Sequence, residues 1–137
     1  MKKDYIENMP AGKEMDEMVA EKVMGWHKGT LTFSDGSTLS GKEDWLDAEG
    51  HYMHGIKQEN GWYEDDEDFH LLHWHPSESI LWAWEVVEKM LGEDCFGESL
   101  FLENHGLIWD AGFREHAYAD TAPLAICRAA LLTVMRI

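Results

Sequence analysis

The C-terminal stretch "ADTAPLAICRAALLTVMRI", residues 119–137, limits the fold more than any other part of the chain. It reads as a helix over 121–136, apolar around most of its girth through Ile126, Cys127, Ala130, Leu131 and Val134. Asp120 or Thr121 is placed to cap it, and Pro123 is tolerated in a first turn, where its missing N–H costs nothing. Arg128 and Arg136 mark its one polar stripe. The apolar run is too short to span a bilayer, and the two arginines break it. Such a helix must be covered on several sides, which puts it at the centre of a layered domain, against a sheet and a neighbouring helix.

Two further segments supply helices. Residues 10–25, "PAGKEMDEMVAEKVMG", carry Met15, Met18, Val19 and Val23 at helical spacing. Pro10 suits the entry and Gly25 the residue after the end. Residues 77–91, "SESILWAWEVVEKML", predict a helix with Ser77 as N-cap and Gly92 beyond its C-terminus. Ile80, Trp84, Val87 and Leu91 are the expected buried stripe. Trp82 falls instead with Glu78, Glu85 and Lys89 on the expected solvent side, covering a neighbouring loop or meeting a partner.

The β content divides in two. Residues 99–118 read as a hairpin turning at Asn104-His105-Gly106, and Gly112 in its second arm marks a bulge or a close backbone approach. A second hairpin is expected at about 30–40, around Ser34-Asp35-Gly36-Ser37. It opens an acidic, β- and loop-rich insertion at about 27–70, where Glu64–Asp68 are five consecutive carboxylates. That run lacks the alternating acids and central glycine of a calcium loop, and is read as a solvated loop. The order helix, β-rich segment, helix, hairpin, helix predicts an α+β layered α/β sandwich with a small, mainly antiparallel sheet. The 137 residues fit a single domain, 1–137.

Charge narrows the function classes. The chain carries 27 acidic and 11 basic residues, a net charge of −16. Nucleic-acid phosphates and anionic membranes attract basic patches, so no direct nucleic-acid or membrane partner is expected. The acidity suits a basic protein partner, or solubility alone. No apolar core follows the polar start "MKKDYIENMP", so no signal peptide is read. Cys95 and Cys127 have no CxxC spacing and read as free thiols in a reducing cytoplasm, Cys127 as a small buried hydrophobe.

Catalytic motifs are missing: there is no GxSxG elbow, no SxxK, no HExxH and no P-loop. The one metal-like feature is "HLLHWHP", with His70, His73 and His75. On an extended strand His73 and His75 share a face and can chelate one zinc or other transition-metal ion. His70 joins only if the chain bends, while His51, His54, Asp66 or Asp68 are further donors. The competing reading is a polar strand edge, ended by the helix start at Pro76-Ser77. Trp45, Trp62, Trp74 and Trp82 lie off the helical stripes and are candidate partner contacts, since tryptophan is enriched at interface hot spots. Their alternative is a satellite core that pins 27–70.

Four blocks go beyond generic patterning. "AGKEMDEMVAEKVMGW" (11–26), "HPSESILWAWEVVEKM" (75–90) and "AYADTAPLAICRAALLTVM" (117–135) resemble the phage ABA sandwich domain family, and "WLDAEG" (45–50) is similar to a short family segment. The blocks cover somewhat under half the chain, and the layout also resembles small phage accessory proteins of the NinX type. The resemblance implies a layered α/β sandwich encoded by a phage or prophage. It implies no activity, cofactor or catalytic residue. Trp82 stands where the family tends to have a small residue, and 27–70 is longer and more acidic than the family pattern.

The expected function is a small acidic phage accessory protein in the bacterial cytoplasm. It would be non-enzymatic and bind a host or phage protein through the acidic, Trp-bearing region 27–82, with homodimerisation as a further option. The alternative is a metal-dependent enzyme or metal-stabilised module using His70, His73 and His75.

Overall fold

The computed structural model describes residues 3–29, 44–46, 56–57, 63–64, 74–92 and 96–135. The chain divides into two compact units, Met1–Met24 with His75–Ile137, and Gly25–Trp74.

Among the described residues the first unit contains four α-helices, α1 (Lys3–Asn8), α2 (Lys13–Val19), α3 (Ile80–Leu91) and α4 (Ala122–Met135). Its sheet has three strands, β5 (Phe101–Asn104), β6 (Trp109–Gly112) and β7 (His116–Ala119), in the order β5-β6-β7, all antiparallel. The fold is therefore α+β.

α4 is the centre of this unit, as its apolar girth requires. Leu124 through Cys127 and Ala129 through Thr133 are all buried. It packs on β6, β7, α3, α1 and α2. The sheet turns Ala111, Ala117 and Ala119 into the buried face, and small side chains there let helix and sheet approach closely. Thr121 caps α4: its carbonyl accepts the Ala125 N–H, and its hydroxyl accepts the Leu124 N–H at 3.4 Å. Arg128 is not part of a solvent stripe. Its Nε and Nη2 donate to the Met9 carbonyl (3.1 and 2.8 Å) and its Nη1 to the Tyr118 carbonyl (2.8 Å). Arg136 lies outside the described residues.

The start of the chain holds more structure than its polarity announces. Ile6 and Met9, three apart, are buried at and just beyond the end of α1. Two apolar residues are too few to register as a periodic pattern. The expected helix over 10–25 begins at Lys13, because Gly12 holds φ at 146°, outside the helical region. Its last turn, Ala20–Met24, is a π-helix. In an α-helix residues four apart drift by about 40°. The wider turn advances less per residue and keeps Met15, Val19 and Val23 together in the core, while Met18 is half-buried. Gly25, at φ 75°, ends the segment as expected.

The 99–118 segment is a three-stranded meander rather than a single hairpin. The first turn is the expected one: Gly106 has φ 85°, and its N–H donates to Asn104 Oδ1. The second is tight, with the Phe113 N–H donating to the Glu115 carbonyl and the Glu115 N–H to buried Thr133 Oγ1 on α4. Gly112 is paired in register on both sides, so there is no bulge. It is a close approach instead, because a Cβ there would overlap the His116 imidazole.

In the second unit β1 (His27–Gly29) pairs antiparallel with β2 (Asp44–Leu46), and β3 (Ile56–Lys57) with β4 (Tyr63–Glu64). Trp26 and Trp74 are both buried, with ring centroids 4.5 Å apart and planes tilted by 58°. The hairpin expected at 30–40 lies outside the described residues.

Candidate functional site

α3 is aimed by a buried polar junction at its start. Asp16, on α2, accepts the Ser77 N–H through Oδ1 at 2.9 Å, and Ser77 Oγ accepts the Gly12 N–H at 3.0 Å. Ser77 is thus not the helix cap predicted for it. The turn after His75, whose carbonyl accepts the N–H groups of Glu78 and Ser79, delays the helix to Ile80. Ser79 takes the N-cap position without a side-chain cap bond. Burial raises the Asp16 carboxyl above its ordinary value, against the lowering effect of the Ser77 hydroxyl and amide. Burial also pushes the Cys127 thiol well up, helped by the Asp16 charge. A serine, an aspartate and a cysteine are gathered here, yet all three side chains are buried and the thiol is held protonated. The junction clamps α2 to the entry of α3 and offers no nucleophile.

The helix so aimed turns a different face inward from the one expected. Ala83, Val86, Val87 and Met90 are buried, while Ile80, Trp84 and Leu91 of the predicted stripe are 51%, 47% and 39% exposed. Leu81 beside them is 73% exposed. The buried face is rotated by roughly a quarter-turn from the predicted one. The physical reason lies in the sequence: "ILWAWEVVEKML" carries two apolar stripes. Ala83, Val86, Val87 and Met90 are the set with the smaller side chains, and they pack against α4. The bulkier residues are left outward, next to exposed Glu85 and Glu88. Burial, and then the charge of Glu88, raise the Glu85 carboxyl above its ordinary value.

The predicted partner contacts are placed unevenly. Trp82 is half-buried on α3. Trp74 is only 2% exposed, against Trp26, so it is a core residue and not a reachable contact. Trp45 lies on β2, with its side chain outside the described set, and Trp62 lies outside the described residues altogether. His70 and His73 also fall outside them, as do His51, His54, Asp66 and Asp68. His75 is half-buried at the turn into α3. Among the described residues no three His, Cys, Asp or Glu side chains are grouped to hold a metal ion. No described helix is long and apolar enough to cross a membrane. Ile80, Leu81, Trp84 and Leu91 were not foreseen as surface residues, and the doubled stripe was the signal for them.

A second polar feature lies on the sheet. His116 Nδ1 stands 3.1 Å from Asp110 Oδ1, and the imidazole lies over Gly112 with its centroid 5.2 Å from that of Phe101. The carboxylate orients the ring. This pair fixes the sheet's outer face.

The protein-family model of the phage ABA sandwich domain matches residues 17–131, from the middle of α2 through α3 and the sheet into α4. No curated protein and no solved structure matches the chain. The match spans most of the sequence, so the chain belongs to the phage ABA sandwich domain family.

Proposed function

We propose that this phage-family protein is a non-enzymatic protein-binding module that docks a host or phage protein on the outward side of α3. The observation that carries this reading is the apolar row Ile80, Leu81, Trp84 and Leu91, left outward by a helix whose other stripe already fills the core. Clustered exposed apolar side chains with a tryptophan among them are the usual makings of an interface hot spot. The clamp from Asp16 to Ser77 holds the start of that helix, which favours docking to a preformed surface.

The test uses the full chain with a photo-reactive benzoyl-phenylalanine replacing Leu81, in infected bacterial cells. Irradiation is expected to give a discrete adduct with one other protein, lost when Trp84→Ser is added. The same photo-residue at exposed Lys13, on α2, is expected to give none. No adduct from Leu81, or the same adducts from both positions, would overturn the reading.

A further inference from the structure

The outward side of α3 also carries information about what docks there. Ile80, Trp84 and Leu91 follow one another along the helix at intervals of four and seven, with Leu81 alongside. The row is about 16 Å long, three turns of helix. A row of this shape presents a ridge that packs best into the groove of another helix, which meets it with apolar residues at i, i+3 or i+4, and i+7.

The border of the row selects charge. Glu85 and Glu88 are exposed beside it, and neither has an ion-pair partner among the described residues. Burial first, and then the neighbouring charge of Glu88, raise the Glu85 carboxyl above its ordinary value. A second copy of this chain, docked face to face, would bring four such carboxylates together between two bodies of charge −16. A helix with lysine or arginine along the edges of its apolar stripe would relieve the same repulsion.

We propose that the row Ile80, Leu81, Trp84 and Leu91, with its Glu85–Glu88 border, takes a basic amphipathic helix of a protein partner. This rests on the protein-binding reading above and deepens it.

The experiment compares two Leu/Lys peptides of identical composition, each of roughly 18 residues, or five turns. One has leucine at helical period and the other has the same residues scrambled. Binding to the full chain is followed by calorimetry and by tryptophan fluorescence, at low and at physiological salt. The patterned peptide is expected to bind at least about tenfold more tightly than the scrambled one. Leu81→Ser and Trp84→Ser should each remove that advantage, with thermal melts unchanged because both side chains point outward. Glu85→Gln with Glu88→Gln should weaken binding at low salt and flatten its salt dependence. Leu107→Ser, at the 89% exposed tip between β5 and β6, should change nothing. Equal binding of the two peptides would overturn the proposal. So would an advantage that survives both α3 substitutions, or a dimer of the free chain that those substitutions dissociate. A photo-adduct from Leu81 to a partner without a basic amphipathic segment would sink this inference and leave the protein-binding reading standing.

Discussion

The carboxylate of Asp16 accepts the backbone N–H of Ser77 at 2.9 Å, joining α2 to the entry of α3 across 61 positions of sequence. The group is buried and its carboxyl is raised above 3.8, so the folded state holds the proton more firmly than the unfolded chain does. The sign follows from linkage. A raised carboxyl contributes stability that is present below its unfolded value and is lost as pH rises through its folded value. Asp16→Asn keeps an acceptor for Ser77 and removes the charge. Relative to this variant, the wild type should lose stability as pH rises from the ordinary carboxylate range through the raised folded-state value. Asp16→Ala leaves the Ser77 N–H orphaned in the interior and should cost about 1–3 kcal/mol. Urea unfolding of the three proteins across that range checks both statements. A wild type that gains on Asp16→Asn as pH rises would reverse the assignment.

The two faces of α3 predict opposite responses to mutation. Val86→Ala and Met90→Ala remove buried side chains and should destabilise by about 1–4 kcal/mol. Ile80→Ser and Leu81→Ser change exposed ones and should stay within about 0.5 kcal/mol. Thermal unfolding of these four variants decides which stripe is inside. Equal losses on both faces would mean that the outward row is covered.

How far the sequence could be read depends on whether one pattern or two compete at a site. α4 was legible because apolar residues around most of its girth leave only one solution, a central helix, and because Thr121 sits at its start. On α3 the same rules could not choose. Ile80, Trp84, Val87 and Leu91 satisfy helical spacing as well as Ala83, Val86, Val87 and Met90 do, and only the fit against α4 separates them. Ser77 looked like a cap because local chemistry favours serine there, yet a partner 65 positions away, Gly12, claims its hydroxyl. Arg128 looked like a polar stripe for the same reason: its acceptors, Met9 and Tyr118, are set by tertiary structure alone. The outward apolar row was therefore hidden inside a correct helix assignment.

Gly112 and His116 should behave as one unit. A Cβ at position 112 would overlap the imidazole, which cannot swing away without leaving Asp110 Oδ1. Gly112→Ala should cost about 1–3 kcal/mol. In a His116→Ala background the obstructing ring is gone, and the same change should cost at least about 1 kcal/mol less. A double-mutant cycle by urea denaturation measures the difference. Additive effects would show that the ring and the glycine are not coupled.

Arg128 makes the last connection, and it is one that lysine cannot copy. The guanidinium donates from Nε and Nη2 to the Met9 carbonyl and from Nη1 to the Tyr118 carbonyl, so one planar group ties the residue after α1 and strand β7 to α4. Burial lowers its affinity for the proton only against a value far above neutrality, and Asp120 opposes the change, so the charge persists at every pH where the fold is of interest. A lysine ammonium is a point donor that cannot reach two carbonyls in the same fixed geometry. Both Arg128→Lys and Arg128→Met should therefore lose about 1–3 kcal/mol. The loss should be felt first in α1, whose buried contacts are Ile6 and, just beyond its end, Met9. Hydrogen exchange of the Met9 amide, which donates to the Ile6 carbonyl at 3.2 Å, should speed up in both variants before the α4 amides respond. Simultaneous acceleration in α1 and α4 would mean instead that the arginine supports the whole unit rather than docking its first helix.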